Sequence, residues 1–219
     1  FAAIIQRAYE QNGRRVVVLV DEYDKPMLQS FDNPELQDDY RKTLTAFYTV
    51  LKSTDAYLQF VFITGVTKFA QMGIFSTLNQ LNDISFDLEY NALCGMTCPE
   101  IEATFAPELQ ALAAQTEATY DNVVEQLTRQ YDGYRFTPSK GFAPIYNPFS
   151  VLSALDKLRF GDYWFASGTP TFLVEILKKT DFDLRELDGI EVSSVSLSDD
   201  RANIGNPVPM IYQSGYLTI

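Results

Sequence analysis

Histidine is absent from all 219 residues. No Ser-His-Asp or Cys-His catalytic arrangement can form, and no histidine-ligated metal site. Cysteine is nearly absent. Cys94 and Cys98 stand four apart, with no other Cys or His to complete a zinc site. They read as two small, half-buried residues near a helix start. So low a count suits a reducing compartment, and a cytoplasmic location is expected. Positive charge is scarce too: Lys and Arg number 17 against 29 Asp and Glu, for a net charge of −12. With no Lys/Arg run, a nucleic-acid backbone is a poor partner, because that affinity depends on displaced counterions. No apolar run approaches the roughly 20 residues of a membrane span, and no signal peptide is visible. Finally, no glycine is followed by lysine, so the Gly-Lys-Ser/Thr loop that cradles phosphates is missing.

What is present is ordinary for a folded chain: 46% hydrophobic and 21% charged residues, enough for a sizeable core. Ala2, Ile5, Ala8 and Tyr9 recur at helical spacing, and Asn12-Gly13 closes that helix. Val16-Val17-Val18-Leu19-Val20 is a continuous apolar run suited to a strand buried on both faces. Tyr40, Leu44, Phe47 and Leu51 mark one face of a long helix from Leu36 to about Lys52. Tyr57 to Ile63 is a second strand, Phe69 to Asn82 is short helix or irregular chain, and Ile84 to Leu88 is a candidate third strand. Alternating helix and strand over 1–95 implies an α/β layer with a parallel sheet.

After Gly95 the pattern becomes mainly helical. Thr97-Cys98-Pro99-Glu100 has the form of a capping box, opening a helix to about Ala114. Another helix spans Tyr120 to Gln130. Asn147-Pro148 and Thr169-Pro170 each pair a cap with a first-turn proline, starting helices over 148–158 and 170–179. Short strands are expected within Ile190–Ile219. Two domains follow from this division: 1–95, and a helical 96–219.

The segment that carries chemistry is the tip of the first strand, Val20-Asp21-Glu22. An apolar strand ending in Asp-Glu is the Walker B arrangement. The carboxyl end of such a strand opens on the crevice where α/β sheets bind ligands. Asp21 can hold Mg²⁺, usually through water, and Glu22 can orient and polarise the attacking water. The second strand ends in Ile63-Thr64-Gly65, which puts a hydroxyl at its tip. Thr64 fits the sensor position beside the nucleotide's terminal phosphate or the lytic water, and Thr67 is a weaker candidate. The span from Asp21 to Thr64 leaves room for one crossover helix.

Four stretches together resemble the predicted AAA-ATPase-like family: Val18 to Pro26; Phe62 to Phe69; Tyr131-Asp132-Gly133-Tyr134-Arg135-Phe136 with Tyr146-Asn147-Pro148; and Tyr212 to Ile219. The resemblance covers nearly the whole chain. It implies a partial P-loop NTPase (RecA/AAA-like) parallel sheet followed by a mainly helical lid, often fused to a PD-(D/E)XK nuclease-like domain. It implies ATP and Mg²⁺ as ligands, with Asp21 on the metal side, Glu22 as the catalytic-water acid and Thr64 as sensor. The phosphate loop is expected before Phe1, so residues 1–219 alone should not turn over ATP.

Arg135 has two readings. It can reach a nucleotide phosphate as a lid arginine, or it can belong to an aromatic turn that packs lid on core, which is the simpler account. Trp164, with Tyr163 and Phe165, reads as core rather than a base-stacking surface. A nuclease site built on Asp21, Glu22, Asp24 and Lys25 fails on spacing, because Tyr23 stands where the acid two before the lysine is required. The remaining alternative is a non-catalytic module on an ATPase-like scaffold. Its acidic surface would serve protein partners or self-association.

Overall fold

The computed structural model describes residues 1–30, 32–66, 74–75, 78–137, 141–163, 171–180, 182–197 and 206–218. Helix α1, Ala2–Asn12, stops at Gly13, whose φ of 62° and N–H bond to the Tyr9 carbonyl form the expected left-handed cap. Strand β1 is Val16–Val20. Pro26 then sits in the first turn of a short helix α2, Lys25–Gln29. Helix α3, Pro34–Ser53, is capped by the Asn33 side chain, which accepts from the Leu36 amide. Strand β2 is Leu58–Ile63.

The two strands pair in parallel. Val17 lies opposite Phe60 and Val20 opposite Ile63, after an irregularity between Val16 and Val17. The expected helix, strand, helix, strand order is therefore observed over 1–63, with α2 added, and residues 69–73 and 76–77 of the next expected stretch lie outside the described residues. Burial differs from expectation. Val18, with Val16, Val20, Val61 and Ile63, packs on a core containing Ile5, Met27, Tyr48, Leu51, Ile74 and Leu78. The opposite face stays open: Val17, Leu19 and Phe60 are 53%, 70% and 54% exposed. A continuous apolar run signals two covered faces only when elements exist to cover them.

Residues 84–88 are not a strand. Asp83 Oδ1 accepts from the Ser85 amide and hydroxyl, and the Asp87 amide bonds back to the Ile84 carbonyl. Asp87 then caps a single 3₁₀ turn, Leu88–Tyr90. Two aspartates have diverted the backbone from pairing into local turns.

Helix α4, Cys98–Thr104, opens as expected at Thr97. Glu100 Oε2 accepts from the Thr97 amide at 2.8 Å and from its hydroxyl at 2.7 Å. Those two bonds hold the Glu100 carboxyl below its usual value. The helix does not continue to Ala114. It breaks at Phe105, and α5, Ala106–Gln115, starts afresh. Pro107 is the cause: it has no N–H, and its ring would strike the carbonyl four residues back. Helix α6 is Tyr120–Tyr131 and α7 is Pro148–Asp156. Their apolar faces meet in a core that includes Leu109, Leu112, Val123, Leu127, Val151 and Ala154. Tyr146 enters the same core with its hydroxyl 2.7 Å from Thr128 Oγ1, and burial pushes that hydroxyl up to about 12. At the head of α7, Asn147 Oδ1 accepts the Ser150 amide at 2.9 Å. Asn147→Ala should cost about 1 kcal/mol of stability by urea titration. Asn147→Asp should retain most of it.

Helix α8 is Thr171–Thr180, α9 is Ser194–Leu197 and α10 is Val208–Gln213. The strands expected within 190–219 are absent among the described residues. Pro207 and Pro209 favour a helical first turn there instead. The Gln213 amide donates to the Leu197 carbonyl at 2.8 Å, tying α10 to α9.

By its internal contacts the chain divides into two units. One comprises Phe1–Asn82 and Pro170–Tyr216, the other Asp83–Thr169 and Leu217–Ile219. The sequence places its boundary between 95 and 96 and keeps 96–219 together. No helix among the described residues is long and apolar enough to cross a membrane.

Candidate functional site at the strand tips

Because Val20 and Ile63 are partners, the next residues of both strands emerge side by side. The ladder continues past the strands: the Thr64 amide donates to the Val20 carbonyl at 2.8 Å, and the Tyr23 amide to the Thr64 carbonyl at 3.0 Å. This register brings Asp21 and Thr64 together. The Thr64 hydroxyl donates to Asp21 Oδ1 at 2.6 Å, and the Glu22 amide donates to the same oxygen at 3.0 Å. Both are charge-assisted bonds to a carboxylate, the stronger class.

Glu22 has a φ of 52°, in the left-handed region that non-glycine residues rarely occupy. The chain turns sharply here. Asp21 and Glu22 remain solvent-exposed, while Tyr23 and Asp24 turn inward and are buried. The Tyr23 ring lies 4.8 Å from that of Phe75. The Glu22 carboxylate pairs with Lys25 Nζ at 2.6 Å, and both side chains are about half exposed. That bond and the Glu22 charge raise the Lys25 pKa, and the Asp21 charge adds a little.

Three of the four candidate residues thus share one sheet edge. Arg135, the fourth, belongs to the second unit. Its Nη1 donates to the Phe142 carbonyl at 2.9 Å, and its amide to the Thr218 hydroxyl at 2.7 Å. The neighbouring rings of Tyr134 and Phe136 meet edge to face, 4.7 Å apart. These are the contacts of a packed turn. Thr67 and Trp164 lie outside the described residues.

Asp24 has no role in the sequence reading beyond the rejected nuclease cluster. Its carboxylate is fully buried, and Oδ1 accepts the Val66 amide at 3.2 Å. Its only signal in the sequence is an acid two residues past the exposed pair, beyond the turn.

The donor set at the tips suits a hard cation. Asp21 presents an exposed carboxylate next to a hydroxyl. Mg²⁺ typically binds through one or two carboxylates and keeps several waters. No three of His, Cys, Asp and Glu form a metal cage among the described residues.

In fold and site, this is an α/β unit with polar side chains at the carboxyl ends of two parallel strands, the usual ligand position of such sheets. Residues 1–75 match the family model described as "Predicted AAA-ATPase". A curated relative, "Uncharacterized protein in vnfD 5'region" from Azotobacter chroococcum mcd 1, is 38% identical across all 219 residues. The chain spans 40% of that relative's length. No solved structure matches.

Proposed function

We propose that this chain supplies the metal-side and water-side groups of an ATP-hydrolysing site with the P-loop NTPase arrangement. The supporting observation is the 2.6 Å bond from the Thr64 hydroxyl to Asp21, which joins the tips of two adjacent parallel strands. The match of residues 1–75 to the AAA-ATPase family supports the same reading.

In this scheme Asp21 would be the residue that holds Mg²⁺, which would supply charge neutralisation at the nucleotide's phosphates. Glu22 accepts a proton from the attacking water and orients it. To do so its carboxylate must leave Lys25, an exchange that costs little because the pair is exposed. Thr64 holds Asp21 in place through its hydroxyl proton, and the hydroxyl oxygen accepts from the attacking water. No Gly-Lys-Ser/Thr occurs within residues 1–219, so none of them is assigned to the phosphate cradle. A cytoplasmic setting accompanies this proposal.

The test is calorimetry with ATP and Mg²⁺ on the full-length protein. Tight, Mg²⁺-dependent binding supports the ATPase. Complete lack of binding leaves the alternative, a non-catalytic module for protein partners or self-association. Thr64→Val should lower kcat about 10- to 100-fold, the value of one hydrogen bond to a charged group. A wild-type rate in that variant would remove Thr64 from the site.

A further inference from the structure

We propose that Asp24 is a positioning residue for this site: its buried carboxylate anchors the turn after β2 and so keeps the Thr64 hydroxyl on Asp21. This rests on the ATPase reading for its catalytic consequence, though not for its geometry.

Asp24 occupies the cap position of α2, where an aspartate ordinarily bonds to its own helix. Here its side chain makes no such cap. It reaches across 42 residues of sequence to accept the Val66 amide. Gly65, between Thr64 and Val66, closes the joint. A Cβ at Gly65 would lie 2.5 and 2.6 Å from the Tyr23 ring and 2.7 Å from Asp24 Oδ1. Only glycine lets the two turns approach this closely. Thr64 is thus held from both sides. Its own amide and carbonyl bond to Val20 and Tyr23, and the residue two ahead is held by Asp24. The anchor sits in the core rather than on the rim. Asp24 is fully buried, and its charge, after burial itself, helps raise the pKa of the buried Tyr48 hydroxyl. A carboxylate at that depth is costly unless its oxygens are hydrogen-bonded. Asp24 is buried while Asp21 and Glu22 are exposed, so it acts through the turn.

The experiment uses the full-length protein and two readouts. Amide hydrogen exchange over 64–66, without nucleotide, reports the anchor directly. Steady-state hydrolysis of ATP reports its consequence. Asp24→Ala should speed exchange at Val66 by about 10-fold or more and lower kcat by about 10-fold, with KM little changed. Asp24→Asn keeps an oxygen for the Val66 amide and should restore both. Unchanged exchange in Asp24→Ala, or an Asn variant as impaired as Ala, overturns the proposal. So does a loss carried by KM instead of kcat.

If Asp24→Ala does not fold, Gly65→Ala decides. It leaves Asp24 intact but forces the turns apart, and a wild-type kcat there overturns the proposal. A full-length protein that binds no nucleotide defeats the ATPase reading and the catalytic half of this one. Slow exchange at Val66 lost in Asp24→Ala would still uphold the anchor itself.

Discussion

Glu22→Gln in the full-length protein is expected to lower kcat for ATP hydrolysis by about 10²- to 10⁴-fold, the usual worth of a positioned general base, with ATP binding little changed. The substitution keeps the shape and exposure of the side chain but removes its ability to take a proton. It should not disturb the backbone. Residue 22 already tolerates a φ of 52°, and Gln gains no Cβ branching that would worsen the strain. It does remove the charge facing Lys25, so the Lys25 ammonium loses the partner that raises its pKa. Lys25→Met provides the control: it frees Glu22 without altering it. Stalled turnover with retained binding in Glu22→Gln, beside an active Lys25→Met, assigns the base. Undiminished turnover in Glu22→Gln removes that assignment.

Leu112→Ala should destabilise the second unit by about 2–5 kcal/mol. Leu112 has no exposed surface and belongs to the core shared by α5, α6 and α7. Truncation removes its apolar contacts and leaves a cavity that rigid helices fill only in part. Urea denaturation gives the magnitude, and faster amide exchange in α5–α7 locates it. A loss below about 1 kcal/mol would mean that these helices collapse onto the gap.

Local features are legible in the sequence where the cause is local. β1 declares itself by Val16–Val20, and its tip by the two acids that follow. The crossover helix is evident from Tyr40, Leu44, Phe47 and Leu51, and the caps at Thr97 and Asn147 sit where short polar side chains precede helices. The pairing of Asp21 with Thr64 also follows, because two parallel strands joined by a helical crossover bring their ends level. What escapes is set by distant partners. Whether Val17 and Leu19 are covered depends on neighbours, not on the strand's own residues. Asp24 is an acid in an acidic stretch until Val66, far along the chain, draws it inward. The break at Phe105 is written in Pro107, but first-turn prolines also start helices, and the same residue serves both meanings. The strand expected over 84–88 is lost to Asp83 and Asp87, which outweigh Ile84, Phe86 and Leu88.

The uncovered side of the β1–β2 pair has a practical consequence at the bench. Its valine, leucine and phenylalanine side chains form an oily strip beside two strand edges, the combination through which proteins stick to one another. For a preparation of residues 1–219, colloidal behaviour rather than unfolding would then set the usable concentration. Mild detergent or added surface charge on that strip would extend it.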